Sequence, residues 1–573
     1  MAGRWVRSLG ALVLGSSLLS GCVALHPSRS VSTAPTRPVG ELVVTGNPLA
    51  SDAAMEMLRQ GGSSVDAAIA AEMVLGLVEP QDSGIGGGSL VLTADSTGAA
   101  HLYDGLAKSP ARETRSLVVE ADGRRMDELF LVDGPRTVGV PGTLAALKLA
   151  HDRSGKLPWA RLFEPAIRLA RDGFPISADL NRLLSAPGAA KDYARSMPLY
   201  FDAGKQPLPT GTIIRNPDYA DTLERVARLG PDGLYAEGGE ARVLAALRAG
   251  PHPSFITAAD LHGYQAVERQ PVCLPFDGYR VCSAPAPSFG GTAMLQALGM
   301  VEAKGGISHD PNDPVFDHVY GEATRLAQAD RRLYSADPDR FPVPVAGLIE
   351  PAYLRLRAGL ISQTKTMPRA RAGLPRGGYT GLTPDSGDFG AVNGTVVVVD
   401  RTGNAVALTS TLNLVFGAKV MVDGYLLNDA LTGFAPLPYK LHRKVTIANA
   451  MAGNKRPASP LTPVIAFDGD NRPVLVGGGA GDGTAPARIG AVVVGILAGK
   501  TDPAGAIVNG RRADPGLTPV EGQASARFMG MVAVTGHRSP DEGVSDDGTF
   551  MARVSEGWIG AGDPGAESAP RGR

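Results

Sequence analysis

Four consecutive valines, Val396 to Val399, follow the polar stretch Asn393-Gly394-Thr395, and after Asp400-Arg401-Thr402-Gly403-Asn404 the chain returns through Ala405 to Thr411. β-Branched runs on either side of an Asp/Gly/Asn cluster predict two adjacent antiparallel strands. A run that is apolar at every position suits a strand buried on both faces, as in the middle of a layered sandwich. Asn393 then stands at the head of a rigid inner strand, the kind of place where a site can be held.

The remaining pattern alternates strand-like and helical segments. Glu41 to Thr45 reads as a strand, followed by a helix capped by Ser51, with Ala53, Met57 and Leu58 on one side and Gly61-Gly62 as its stop. Val65 to Val78 is apolar nearly all round, which predicts a buried helix. Leu144 to Leu261 repeats alanine, leucine and arginine at spacings of three and four, as helices do. Pro473 to Gly483 reads as a strand entering a glycine-rich turn, and Arg488 to Leu497 as a buried helix. Tyr353 to Gly381 carries several basic residues with little pattern, a solvated loop. The tail after Gly510 is expected to be irregular, with an acidic loop from Ser539 to Thr549.

Composition narrows the classes. The 573 residues are 43% apolar and 20% charged, which is globular and sufficient for a large core. A formal net charge of -1 excludes nucleic acid as an electrostatically chosen partner. The nine histidines show no ligand spacing, so no metal and no cofactor is expected. Glu79 to Leu92, EPQDSGIGGGSLVL, is glycine-rich but enters a strand and lacks the lysine and following helix of a phosphate loop; close backbone packing is its expected role.

Cys273 and Cys282 lie in VCLPFDGYRVC, where Asp277-Gly278 signals a two-residue type I′ hairpin turn. Counted outward from that turn they face each other as a non-hydrogen-bonded pair, with Cα atoms about 4.5 Å apart, within reach of a disulfide. The bridge predicts an oxidising compartment. At the N-terminus, Arg4 and Arg7 precede a short apolar run from Leu9 to Leu19, too short to span a bilayer. Leu19-Ser20-Gly21-Cys22 resembles a bacterial lipobox, so residues 1–21 are expected to be a signal peptide and Cys22 a lipidation site. The following Val23 resembles an outer-membrane sorting signal, which implies a lipid-anchored protein of the cell envelope, on the outer membrane facing the periplasm. Residues 22–40, rich in Ser, Thr and Pro, read as a tether.

The hairpin VDRTGNAVALTSTLN, with FGAKV and GYLLN after it, resembles the start of the small subunit of gamma-glutamyltransferases, which are N-terminal nucleophile hydrolases. VGVPGTLAALKLAH, FEPAIRLARDGFPI, GPDGLY, DLHGYQAVERQPV, APAPSFGGTAMLQAL and EATRLAQADRRLYSADPDRF resemble further landmarks in family order, from about Gly40 to Gly510. The resemblance implies an α+β fold, the four-layer αββα sandwich, with an added helical region. It also implies a large-subunit-like part, 41–392, and a small-subunit-like part, 393–573.

In that family a threonine, freed by self-cleavage, attacks a gamma-glutamyl amide. Ungapped alignment of the hairpins puts Asn393 at that position, and an amide is a poor nucleophile. Thr395 is the nearest hydroxyl, on the same strand face about 6.6 Å along, while Thr411 matches a residue that supports the nucleophile. The resemblance implies substrate contacts at Asn413, Ser459, Gly481 and Asp482. It also puts Leu106 where the family clamps the substrate carboxylate with arginine, and Ala430 and Gly433 where side chains hold its α-amine. A carboxylate at Asp482 would oppose a developing oxyanion. The expected protein is therefore a membrane-tethered family member that stays one chain and lacks glutamyl transfer, with a glutamyl or peptide-like small molecule as its ligand. Two alternatives stand beside it: an active gamma-glutamyltransferase, glutathione hydrolase or related amidase using Thr395 after self-cleavage, and a non-catalytic structural protein of the envelope.

Overall fold

A computed structural model of the protein describes residues 38–112, 117, 134–186, 190–249, 252–311, 313–387, 392–435, 446–479, 481, 483–510, 548–562 and 567–573. Cys22, the signal peptide, nearly all of the tether, Asp482 and most of the acidic loop lie outside them. In chain order the strands of the two main sheets are β1 (Leu42–Thr45), β2 (Gly88–Ala94), β3 (Ala100–Gly105), β4 (Val267–Arg269), β5 (Val272–Phe276) and β6 (Tyr279–Ser283). They continue as β7 (Val392–Val399), β8 (Ala405–Asn413), β9 (Val464–Phe467), β10 (Pro473–Gly478), β11 (Thr549–Val554), β12 (Gly557–Ala561) and β13 (Arg571–Gly572). One sheet has the order β13-β1-β7-β8-β2-β3-β4 and the other β12-β11-β10-β9-β6-β5.

The valine run explains the layering. Val396 and Val398 join the core formed with the helices Pro48–Arg59 and Ser64–Val78, while Val397 and Val399 point the other way, against Ile465, Phe467 and Val476 of the second sheet. Period-two alternation thus fills two cores from one strand. The second sheet is covered on its far side by the helices Phe289–Lys304, Pro314–Tyr334 and Ala485–Leu497, which pack on Val464, Ala466, Leu475 and Phe550. Helix, sheet, sheet and helix form the four-layer sandwich, and the helices between Thr143 and His262 extend the first outer layer.

Local expectations fare unevenly. The hairpin pairs Cys273 with Cys282 and Phe276 with Tyr279, Asp277 and Gly278 both have positive φ, and the disulfide is formed with a Cα separation of 4.0 Å. The first helix is capped by Asn47, whose side chain accepts from the Leu49 N–H, and not by Ser51, which lies inside the helix and hydrogen-bonds Thr45. Pro48 is the physical reason, since its fixed φ favours the first helical position. The segment read as a solvated loop from Tyr353 begins within a helix, Pro351–Ala358. The tail is not irregular throughout: β11 and β12 complete the second sheet, and β13 pairs with β1. Thr549, the end of the expected acidic loop, opens β11.

Candidate active site

The head of β7 is built by its neighbours. β8 pairs with β7 in register from Ala405 to Ser410, after which a bulge brings Asn413 opposite Val392. At that bulge Asn413 has φ 82°, a left-handed conformation that asparagine tolerates better than most residues. Its Nδ2 donates to Thr432 Oγ1 at 2.9 Å and Asp429 Oδ1 at 3.3 Å, and Asp429 Oδ1 also accepts from the Leu414 N–H at 2.9 Å. Thr411 accepts from the Asn413 N–H at 2.8 Å and donates its hydroxyl to the Val392 carbonyl.

Asn393 and Thr395 face the space between the sheets, as strand parity requires. Asn393 Nδ2 donates to Thr395 Oγ1 at 2.6 Å, and Asn393 Oδ1 is buried with no partner among the described residues. On the opposite face, Gly394 lies against the helix layer, where an added Cβ would meet Ser83 Oγ at 2.6 Å. Ser410, paired with Gly394, donates to Glu72 Oε2 at 2.8 Å. Glu72 is wholly buried in the helix Ser64–Val78, and desolvation lifts its carboxyl to about 8 against the opposing Ser410 hydrogen bond. Desolvation also pushes Glu79 well above the ordinary carboxylate range, with Asp82 adding to it, although Asn47 and Gln81 donate to the carboxylate.

Beside this strand end lies a cavity of about 20 Å³, lined by Leu106, Ala107, Ala430, Pro457 and Ala458, by Thr411, Asn413 and Ser459, and by Gly88. Of the residues predicted for the site, Thr411, Asn413 and Ser459 come together here. Leu106 and Ala430, predicted as substitutions, line the same space. Ser459 is set by its backbone, which accepts from the Phe289 N–H at 2.9 Å and donates to the Pro287 carbonyl at 3.1 Å. Thr395 does not line the cavity; it is buried opposite Thr409. Gly481 is not among the lining residues either: with φ 151°, an added Cβ would meet Arg488 Nη2 at 2.7 Å.

The glycine-rich loop closes the other side through backbone approach. An added Cβ at Gly87 would stand 2.3 Å from the Thr411 carbonyl oxygen, and one at Gly86 only 2.0 Å from that of Leu426. Asn428 donates to the carbonyls of Gly86 at 2.8 Å and Gly139 at 3.0 Å. Asp385 and Asn449 tie the approach to β7 into the same region. Asn449 Nδ2 donates to Asp385 Oδ2 at 3.0 Å and to the Gly433 carbonyl at 2.9 Å, and its Oδ1 accepts from the Ala458 N–H at 3.0 Å. The sequence reading missed Ala107, Pro457, Asp429 and Glu72. For Glu72 a signal existed, the one carboxylate in the otherwise apolar run from Ala67 to Val78.

The family model described as gamma-glutamyltranspeptidase matches residues 50–572. The chain belongs to the gamma-glutamyltranspeptidase family. Within the family it is similar to the "Glutathione hydrolase proenzyme" of Bacillus subtilis strain 168, 31% identical over 500 residues, 84% of this chain and 83% of that protein. It is also 33% identical over 437 residues to the "Acylase ACY 1 proenzyme" of Pseudomonas sp. strain SE83, covering 74% of each chain. The fold matches the crystal structure of cephalosporin acylase from Bacillus halodurans with a TM-score of 0.74 at 22% identity, over 97% of this chain and 99% of that one.

Proposed function

We propose that this gamma-glutamyltranspeptidase-family protein stays a single chain, does not transfer glutamyl groups, and binds a small peptide-like ligand in the vestige of the family's cleft. The observation that carries this reading is the amide at the head of β7: Asn393 has no hydroxyl to begin acyl transfer. The cavity near the start of β7, which Asn393 itself does not line, agrees. Leu106 and Ala430 line it with no charge, so the carboxylate and ammonium of a glutamyl group would find no oppositely charged partner there. Charge-assisted hydrogen bonds contribute on the order of 1.5 to 3 kcal/mol each, so losing two weakens glutamyl binding by about a hundredfold or more. By the same reading, acylation of Cys22 tethers the protein to the envelope membrane.

The test is direct. Purified protein should run as one band on denaturing gels and release no p-nitroaniline from a gamma-glutamyl anilide. Two bands split at residue 393 together with anilide turnover would refute it.

A second reading is favoured by one contact. The Asn393 amide donates to the Thr395 hydroxyl, so an alcohol does stand next to the nucleophile position. An active amidase of the glutathione hydrolase or acylase kind, using Thr395 after cleavage of the chain, predicts amide hydrolysis that Thr395→Ala abolishes, and a new N-terminus at Thr395.

A further inference from the structure

The strongest unassigned feature is a face on the second helix layer. Residues 351–381 contain Arg355, Arg357, Lys365, Arg369, Arg371 and Arg376 and no acidic residue, in a chain whose net charge is -1. The same segment holds Leu356, Leu360, Leu374 and Tyr379, which are 67%, 56%, 59% and 40% exposed, four of the seven exposed large hydrophobic side chains among the described residues.

Two parts of the segment are tied together. In the helix Pro351–Ala358 the buried positions are Tyr353, Leu354, Arg357 and Ala358, which leaves Arg355 and Leu356 outward. Arg357 pairs with buried Asp330 at 3.3 Å and donates to the Arg371 carbonyl at 2.8 Å, and Gly373 N–H donates to Asp330 Oδ1 at 2.8 Å. The run from Arg371 to Gly373 is thereby fastened beside the helix. Arg376 is engaged with Glu350 at 3.2 Å. Arg355, Lys365, Arg369 and Arg371 are exposed and make no ion pair among the described residues.

We propose that this face docks on a bilayer surface carrying anionic phospholipid headgroups. Exposed cations interleaved in sequence with exposed leucines match such a surface in both respects: the cations meet headgroup phosphates and the leucines enter the acyl boundary. A folded protein partner would use the leucines but needs no excess of cations. A soluble polyanion would use the cations but not the leucines. The proposal stands apart from acylation of Cys22, which membrane fractionation of the wild-type protein tests separately.

The experiment uses the mature chain without its lipidation site, residues 23–573, so that neither an acyl chain nor the apolar signal run contributes, and vesicles of phosphatidylcholine with or without roughly one-third phosphatidylglycerol. Sedimentation should show binding to the anionic vesicles only, lost as salt approaches about 0.5 M. At about fivefold per residue, Arg355→Gln, Arg369→Gln and Arg371→Gln together should weaken it about a hundredfold, with unchanged melting temperature. Leu356→Ser with Leu360→Ser should weaken it too. Equal binding to neutral vesicles, or an unaffected triple variant, would overturn the proposal. So would heparin binding as tight as vesicle binding with the leucine variants silent, which would make the face a general polyanion surface.

Discussion

Glu72→Gln should remove most of a pH-dependent weakness built into the support beneath β7. The carboxyl lies in an apolar helix, accepts one hydrogen bond from Ser410, and has its other oxygen buried without a partner among the described residues. Burial raises its pKa from 4.5 to about 8. Between those values the folded protein holds a proton that the unfolded chain has released, so stability falls as pH rises from about 4.5 to about 8. At 1.36 kcal/mol per pH unit the ceiling is about 5 kcal/mol. Glutamine keeps an acceptor for Ser410 and does not titrate. Urea midpoints followed by tryptophan fluorescence from pH 4.5 to 8.5 should nearly coincide for the two proteins at the acid end. The unfolding free energies from the same curves should then separate in favour of the variant by several kcal/mol at the alkaline end. Glu79 titrates with the same sign but is present in both proteins, so it cancels from the difference. Midpoints that run parallel across the range would refute the reasoning.

Three further outcomes follow from single contacts. Opening the Cys273–Cys282 bridge, which closes a loop of sequence separation 9, should cost about 2.6 kcal/mol by chain entropy, read as a drop in urea midpoint for the Cys273→Ala, Cys282→Ala variant. Gly87→Ala drives a methyl group into the Thr411 carbonyl and should lower stability by about 2 kcal/mol or more, measured by thermal melting. Asn393→Thr should restore chain cleavage before residue 393 without glutamyl turnover, scored by gel, N-terminal sequencing and the anilide assay.

What could be read from sequence is what rests on short-range chemistry. Asp277-Gly278 dictates a turn, the turn dictates which residues face each other, and the disulfide follows. The valine run likewise announces a strand with two buried faces, and its motifs lead to the four-layer sandwich through family resemblance. The helix start was misplaced because Ser51 and Asn47 are both good caps and the rigid Pro48 decides between them. The hairpin β11–β12 escaped notice because two short strands joined at Ser555-Glu556 are stabilised by β10, far away in sequence. The cavity lining was only half legible for the same reason. Ala107, Pro457 and Gly88 carry no chemical signature and matter only because three distant segments meet there, whereas Thr411 and Asn413 are placed by the register of one hairpin.

The expected split between cleavage and turnover follows from how the two steps use the site. To cut the chain, a hydroxyl at position 393 must attack the Val392 carbonyl, and that oxygen already accepts the Thr411 hydroxyl, a donor placed to stabilise charge as it develops. The attack breaks the peptide bond between Val392 and residue 393 by shifting the acyl group from nitrogen to the hydroxyl oxygen. The freed amine takes the proton, and a water molecule then hydrolyses the resulting ester. Apart from that water the reacting groups belong to the chain itself, so they are held together without any substrate binding. Threonine has no amide to donate to Thr395, and its hydroxyl can turn toward the carbonyl instead. Glutamyl transfer asks for more. Its substrate must be fixed by its own charges, and Leu106, Ala430 and Gly433 offer none, so the repaired nucleophile would face an unheld amide. Adding Leu106→Arg alone would bury a guanidinium opposite Ala430 without an acid, a change that typically costs about 3 to 5 kcal/mol. Recovery of turnover therefore requires the acid and the base to be introduced together. Turnover by Asn393→Thr alone would mean that the cavity recognises glutamyl amides by contacts other than charge, and an uncleaved Asn393→Thr chain would mean that Thr411 does not polarise the bond.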